Sequence, residues 1–380
     1  MRRSRVERRA ELHRQRTLAV IAVVCVALIA GLAVGLLSCG SGMERPGDPP
    51  LGYLRDPLGG RSWRVAAWTL GGSASLDAAI AAGAIDEVDF DWYLSRADGS
   101  ITSSGEDLDL VARARDHDLN LFATVTNRPG STSAFSRDVA RAILATEATR
   151  ATYVDSLVAL VKRGGYDGID LDWEEMTLAE RGSFTKLVEE AASALHGEDR
   201  FLSVTVYPKT SEPGTTPGQL SEDYAAIGSA ADEFKIMTYG RSGVWSSAGP
   251  QAQLSWLDQV LRFAEKKVEP GKICMGVAFF GFDWGGGHVS AVTGRSAAES
   301  VAASSAKAVR DAQSAEMVLR RTDTAGASHT MYYPDARTIA ARLRVVRRRH
   351  PEIGGAAIWL MGQEGPGFWS AMSRTFASPE

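Results

Sequence analysis

The sequence predicts an α/β fold: eight β/α units closed into a (β/α)8 TIM barrel, with a small α+β insertion between the seventh and eighth strands. Three observations carry the prediction. From Arg64 onward, short runs rich in β-branched and aromatic residues alternate with amphipathic stretches, the pattern of a parallel sheet covered by helices. There are eight such runs, enough to close a barrel. No glycine-rich phosphate cradle follows the first of them at Trp68, where an open doubly wound sheet would usually carry one. A chain of 380 residues with 44% apolar residues can bury a core of that size.

The N-terminal elements come first. Seven arginines in residues 1–17 stop at Thr17, and residues 18–37 then run without a charge. At about 1.5 Å per residue this run matches the thickness of a bilayer core, and the arginines place residues 1–17 in the cytoplasm. Leu36-Leu37-Ser38-Cys39 is similar to a lipoprotein box with Cys39 as the acylated residue; an uncleaved anchor is the alternative. Both readings tether the body to the extracytoplasmic face of the membrane. Residues 38–62, with Pro46, Pro49, Pro50 and Pro57, read as a linker, and the catalytic barrel is assigned to residues 63–376.

Within the barrel, strands are expected at 65–68, 87–93, 119–126, 168–174, 202–207, 234–239, 273–279 and 356–360. Between them lie helices with apolar stripes: Val154, Leu157, Val158 and Val161; Phe184, Leu187, Val188 and Ala191; Leu257, Val260, Leu261 and Ala264. Gly164-Gly165 is a suitable stop for the first. Residues 282–331 break the rhythm and form the insertion, with Gly285-Gly286-Gly287 as a mobile turn and strand-like runs at 317–320 and 328–333. Arg342, Arg344, Arg347, Arg348 and Arg349 read as the solvated face of the following helix.

Charge excludes one class of function. The net charge of -4 divides into +5 for residues 1–40 and -9 for the rest, so the body lacks the basic footprint that nucleic acid requires. Cys274 is the only cysteine beyond Cys25 and Cys39, which rules out a disulfide within the body. The six histidines show no metal-binding spacing, and neither a metal nor an organic cofactor is expected. The expected working form is a monomer.

The chemistry concentrates in residues 166–175, YDGIDLDWEE. On a strand, period two places Asp170, Asp172 and Glu174 on one face and Ile169, Leu171 and Trp173 on the other. The apolar set suits the helix ring, so the carboxyls point into the barrel. Burying even one unpaired carboxylate costs on the order of several kcal/mol, and neighbouring carboxylates repel, so at least one should hold a proton at neutral pH. That makes a general acid. Neighbours on that face are roughly 6.6 Å apart, twice the strand rise, which leaves Glu174 nearest the open rim and best placed to donate. Glu175 has the wrong parity and should leave the strand.

Here the chain resembles glycoside hydrolase family 18, whose DxxDxDxE signature is met by Asp167, Asp170, Asp172 and Glu174. Met237-Thr238-Tyr239 resembles the sixth strand of the family, and residues 355–359, GAAIW, resemble the eighth. Runs at 202–210, 223–240, 276–284 and 359–369 are most similar to the branch of spore-germination and cortex-lytic glucosaminidases. The resemblance implies retaining, substrate-assisted hydrolysis of β-1,4 bonds in chitin-like or peptidoglycan glycans containing N-acetylglucosamine. Glu174 would be the acid and base, and Asp172 would hold the 2-acetamido N–H. Asp170 would share a proton with Asp172, Tyr239 would bond the acetamido oxygen, and Trp359 would form the floor of the site. Met237, Asp167, Tyr207 and Trp92 join Trp359 as substrate-binding candidates; Tyr93, Asn127 and Trp284 are further cleft candidates, with core packing as the alternative. Gly240 stands where the family often has Asp or Asn, leaving a contact for Arg241 to supply, and Phe280 stands where Tyr is common. The alternative function is a catalytically silent, lectin-like barrel, although such relatives usually lack the acid that Glu174 provides.

Overall fold

The computed structural model describes residues 63–377. The arginine arm, the apolar run, Cys39 and the linker lie outside the described residues. The barrel opens with β1 (Arg64–Thr69), α1 (Ser73–Ala81), β2 (Glu87–Ser95), β3 (Ile101–Ser103), α2 (Leu108–Asp116), β4 (Asn120–Thr126), α3 (Arg137–Leu144) and α4 (Glu147–Gly164). It continues through β5 (Gly168–Asp172), α5 (Arg181–His196), β6 (Phe201–Val206), α6 (Pro217–Ser221), α7 (Tyr224–Ala230), β7 (Glu233–Ile236), α8 (Leu254–Ala264) and β8 (Ile273–Ala278). The insertion holds β9 (Phe280–Gly285), β10 (His288–Thr293), α9 (Gly294–Ala302), β11 (Val309–Arg310), β12 (Met317–Thr322) and β13 (Ser328–Tyr333). Helix α10 (Ala336–Arg349), β14 (Gly355–Trp359) and α11 (Phe368–Ala377) close the chain.

The sheet order is β1-β14-β8-β7-β6-β5-β4-β2, and β1 also pairs with β2, so the eight parallel strands form a closed barrel. β3 adds an antiparallel edge to β2. Outward residues of the strands, among them Val88, Phe90, Ile169, Leu171, Val204 and Phe234, share one core with the helices. The predicted stripes fill it: Leu157, Val161, Leu187 and Leu261 are all buried. Helix α4 ends as expected at Gly165, which takes φ 62° while its N–H caps Val161 O.

Two expected strands stop two or three residues early. β5 ends at Asp172 because the Glu174 N–H turns to the Asn127 side chain and Glu175 adopts φ 62°. β7 ends at Ile236, and the next residues fold over the barrel mouth through bonds from Thr238 N to Ile236 O and from Tyr239 N to Met237 O, both 2.7 Å.

The insertion is more regular than its sequence suggests. Its five strands form an antiparallel sheet ordered β10-β9-β13-β12-β11. The triple glycine is the hairpin between β9 and β10, with Gly286 at φ 58° and Gly287 at φ 79°, the pair of left-handed residues that a tight hairpin needs. Arg342 corrects the reading of a solvated arginine face. It is 2% exposed, reaches Glu316 and donates to Ala252 O at 3.0 Å, tying α10 to the base of the insertion. Arg344, Arg348 and Arg349 are exposed as expected.

Candidate active site

The inward faces of the strands are polar, and the charges form layers along the barrel axis. Deepest lies Lys235 on β7, fully buried, with its Nζ 2.8 Å from Glu87 Oε1, 2.7 Å from Asp89 Oδ1, 3.6 Å from Glu233 Oε2 and 4.0 Å from Asp170 Oδ1. Burial opposes its charge, but the carboxylates of Asp89, Glu87, Asp170 and Glu233 outweigh that effect and hold the ammonium protonated. Desolvation raises Glu87, and it lifts Asp89 to about 7 against the pull of Lys235.

Asp170 belongs to this layer. Its Oδ2 accepts from Trp68 Nε1 at 2.9 Å and Thr124 Oγ1 at 3.2 Å, and its Oδ1 accepts from Thr205 Oγ1 at 3.1 Å. The donors come from β1, β4 and β6, so Asp170 binds the barrel wall together. The resemblance implies a proton shared with Asp172; in the structure Asp170 is engaged with these donors, and Asp172 Oδ1 is buried with no hydrogen-bond partner.

One layer higher, Asp172 is 6% exposed. Burial raises its proton affinity well above the carboxylate range, and Glu174, Asp170 and Asp91 add to the effect. Glu174 is half-buried just beyond the strand. Its Oε2 accepts from Tyr207 Oη at 2.7 Å, and its backbone is clamped by Asn127, which donates Nδ2 to Glu174 O at 2.8 Å and accepts from Glu174 N at 3.0 Å. Desolvation pushes the Glu174 carboxyl up to about 7, with the Tyr207 hydroxyl pulling the other way. Glu175 is exposed and lies beyond the strand, as expected. Tyr207 is fixed in turn by Glu222, fully buried, whose Oε1 accepts from Tyr207 N at 2.9 Å.

Tyr239 reaches the same space. Burial raises its hydroxyl, and the charges of Asp172, Glu174 and Asp170 raise it further, so it stays a donor. Gly276 makes room for it: a Cβ there would lie 2.9 Å from the Tyr239 ring and 2.5 Å from Ile236 O. Phe280 packs edge-on against that ring at 5.8 Å. Trp359 is half-buried at the end of β14 and meets Trp68, the partner of Asp170, edge to face at 5.8 Å. The peptide after Trp359 is cis. Met237 is half-buried at the end of β7.

Other candidates lie elsewhere. Trp92 is 1% exposed and packs on Phe90 at 4.8 Å on the outward face of β2, inside the helix-facing core. Tyr93 is also core, with its Oη 2.7 Å from that of Tyr166. Asp167 sits at the opposite end of β5, where its Oδ2 accepts from Leu121 N at 2.9 Å; the first aspartate of the signature ties β4 to β5. Trp284 lies in the insertion and donates to Ser246 O at 3.1 Å. Arg241 is exposed, with its guanidinium over Trp256 at 5.5 Å.

Sequence reasoning missed Asp89, Asp91, Lys235 and Arg128. A signal was available for the first three. Glu87, Asp89 and Asp91 alternate with Val88, Phe90 and Trp92, the same period as the 170–174 run, and Glu233 and Lys235 flank Phe234 in the same way. Arg128 lies just past a strand, where period carries no information.

Residues 97–364 match glycosyl hydrolases family 18. The chain is 24% identical over 264 residues to the glycosylase YvbX of Bacillus subtilis, covering 69% of this chain and 76% of that one. It is 26% identical over 266 residues to the cortical fragment-lytic enzyme of the same organism, covering 67% of this chain and 60% of the relative. The chitinase of Chromobacterium violaceum superposes with a TM-score of 0.76 at 25% identity, over 83% of this chain and all of that structure.

Proposed function

The chain belongs to glycosyl hydrolase family 18, and from that premise we propose that it cleaves β-1,4 bonds of N-acetylglucosamine-containing glycans, chitin-like or peptidoglycan, by retaining, substrate-assisted catalysis. The observation that carries the reading is a pair of carboxyls at the open end of the barrel. Glu174, lifted to about 7 and bonded to Tyr207, keeps its proton near neutrality, and Asp172 beside it presents an oxygen with no protein partner.

In this reading Glu174 gives its proton to the glycosidic oxygen as the bond to the leaving sugar breaks. The carbonyl oxygen of the substrate's own 2-acetamido group attacks the anomeric carbon. Asp172 accepts the acetamido N–H on its unpartnered oxygen, which aligns the carbonyl for attack. Tyr239 donates to the acetamido oxygen, and Trp359 supplies an apolar floor for the sugar ring. Glu174, now a carboxylate, takes a proton from water, whose oxygen opens the intermediate and returns the original anomeric configuration.

The chitinase and the cortical fragment-lytic enzyme among the relatives support both glycan classes, so the test uses both. The full chain and its Glu174→Gln form are incubated with chito-oligosaccharides and with purified peptidoglycan, and new reducing ends are identified by mass spectrometry. Product from the unmodified chain alone is expected. Equal product from both forms removes Glu174 from its role, and binding without product from the unmodified chain favours a lectin. We further propose that the barrel works outside the membrane, tethered by residues 18–37 or by a lipid on Cys39. Release into the soluble fraction by Cys39→Ala would identify the lipid.

A further inference from the structure

The segment that leaves β4 is stitched to the acid residue by residue. Thr126 is in register with Asp172, and Asn127 holds both backbone groups of Glu174. The next residue, Arg128, is 6% exposed. Its guanidinium donates from Nη2 to Asp91 Oδ1 and from Nε to Thr126 Oγ1 at 3.1 Å, and lies over the Phe135 ring at 5.5 Å. Asp91 is 2% exposed on the inward face of β2, and its Oδ2 is buried with no hydrogen-bond partner. A buried ion pair therefore shares its mounting with the acid and faces the same space.

We propose that Asp91 and Arg128 are a positioning pair for the acid, an ion pair built into the barrel mouth that fixes the electrostatic field in which Glu174 gives up and regains its proton. The inference rests on the reading of Glu174 as the general acid. Neither residue touches the reacting atoms in that reading; both act through Glu174 and Asp172.

The two halves of the pair pull in opposite directions. Arg128 favours the ionised forms of Asp91, Asp172 and Glu174, while Asp91 favours the protonated forms of Asp172 and Glu174. Arginine keeps its charge across the whole working range, so the cationic half is constant. Asp91 is different: burial pushes it up, and Arg128 is the counterweight that opposes this. The other groups facing Glu174 are Glu175 beside it, Asp172 on β5, Tyr207 after β6, Glu222 after α6 and Tyr239 after β7. Asp170 faces Asp91 from below, backed by Lys235. A merely structural pair, in which Arg128 only neutralises Asp91, would affect stability and leave the ionisation of Glu174 where it is.

The test is a pair of substitutions with opposite expected signs. Asp91→Asn leaves the Arg128 charge uncompensated, so Glu174 loses its proton at lower pH and the alkaline limb of kcat/KM moves down by about half a unit or more. Arg128→Gln moves the limb up, by less, because Asp91 without its cation takes up a proton itself. Arg128→Lys retains the charge and keeps the limb near its original position. The full chain and each variant are assayed on a chito-oligosaccharide across pH, with a thermal melt to confirm folding. The Glu174 carboxyl is also titrated by 13C NMR in the same proteins, its signal assigned by its loss in Glu174→Gln. Opposite displacements in both measurements support the pair. A limb and a titration that stay in place, or move the same way in both variants, overturn it whatever rate is lost. If the unmodified chain cleaves nothing, the glycosidase reading fails, and the NMR titration still decides the pair. Should Asp91→Asn fail to fold, the difference between Arg128→Gln and Arg128→Lys decides it.

Discussion

Inside the barrel, Glu87, Asp89, Asp170 and Glu233 crowd around one lysine ammonium, and Asp170 adds an indole N–H and two threonine hydroxyls. One layer toward the open end, Asp172 and Glu174 come from the same stretch of chain as Asp170. There Glu174 has a tyrosine hydroxyl, and Asp172 has a buried oxygen with no partner. Asp170, Asp172 and Glu174 are neighbours in sequence, so what separates the layers is the buried lysine ammonium that sits among the lower carboxyls. Carboxyls gathered around that cation hold strands together although Glu87 Oε2, Asp89 Oδ2 and Glu233 Oε2 accept no hydrogen bond, and the upper pair, away from it, is left to keep a proton or to accept a donor from a ligand.

The comparison breaks most visibly at Glu174. Glu174→Gln should lower turnover by ~10³-fold or more while the protein still folds, because the amide cannot transfer a proton; steady-state kinetics with circular dichroism as the folding control checks both halves. The lower layer should respond in the opposite way. Lys235→Met leaves a cluster of carboxyls around a lost cation and should cost about 3–5 kcal/mol of stability in urea unfolding, a loss that any drop in turnover would only follow.

Two smaller effects sharpen the upper layer. Tyr207→Phe removes the donor that holds the Glu174 carboxyl down, so the alkaline limb of kcat/KM should move to higher pH, with a loss of about 10-fold or less in rate. The last effect is on stability. Glu174 in the folded chain titrates near 7, above the ordinary glutamate value, so its protonated form supports folding fully below about pH 4.5 and that support fades as pH rises through 7. Glu174→Gln should therefore melt higher than the parent at pH 8, by about 1–3 °C relative to their difference at pH 4. Differential scanning calorimetry at the two pH values is sufficient.

Strand period made much of this legible in the sequence. The alternation over residues 169–173 placed apolar side chains against the helices and carboxyls inside, and the structure has that arrangement, with Trp173 packed between Tyr153 and Phe184. The eight strands were readable for the same reason, since their outward faces are continuous apolar runs. Period also misled where it was not followed far enough. Trp92 reads as a cleft candidate with core packing as the alternative, and its parity with Val88 and Phe90 favours the core, where the structure has it; the inward residue beside it is Asp91. What sequence could not supply was the long-range partners. Lys235 and Glu87 lie 148 residues apart, as Trp68 and Asp170 lie 102 apart. Only barrel closure brings them together. The insertion was half legible: the runs at 317–320 and 328–333 read as strand-like, but β9 follows β8 after a single residue, so the new sheet begins at Phe280, two residues before the expected start at 282.

The central claim is that Glu174 is a carboxylic acid at neutral pH and that this proton drives hydrolysis. It is tested most directly by the pH dependence of kcat/KM for chito-oligosaccharide cleavage by the full chain, measured beside a 13C titration of the Glu174 carboxyl. The account predicts an alkaline limb and a carboxyl titration that coincide near pH 7. A Glu174 carboxyl that titrates near 4, with cleavage still sustained at pH 7, would contradict it.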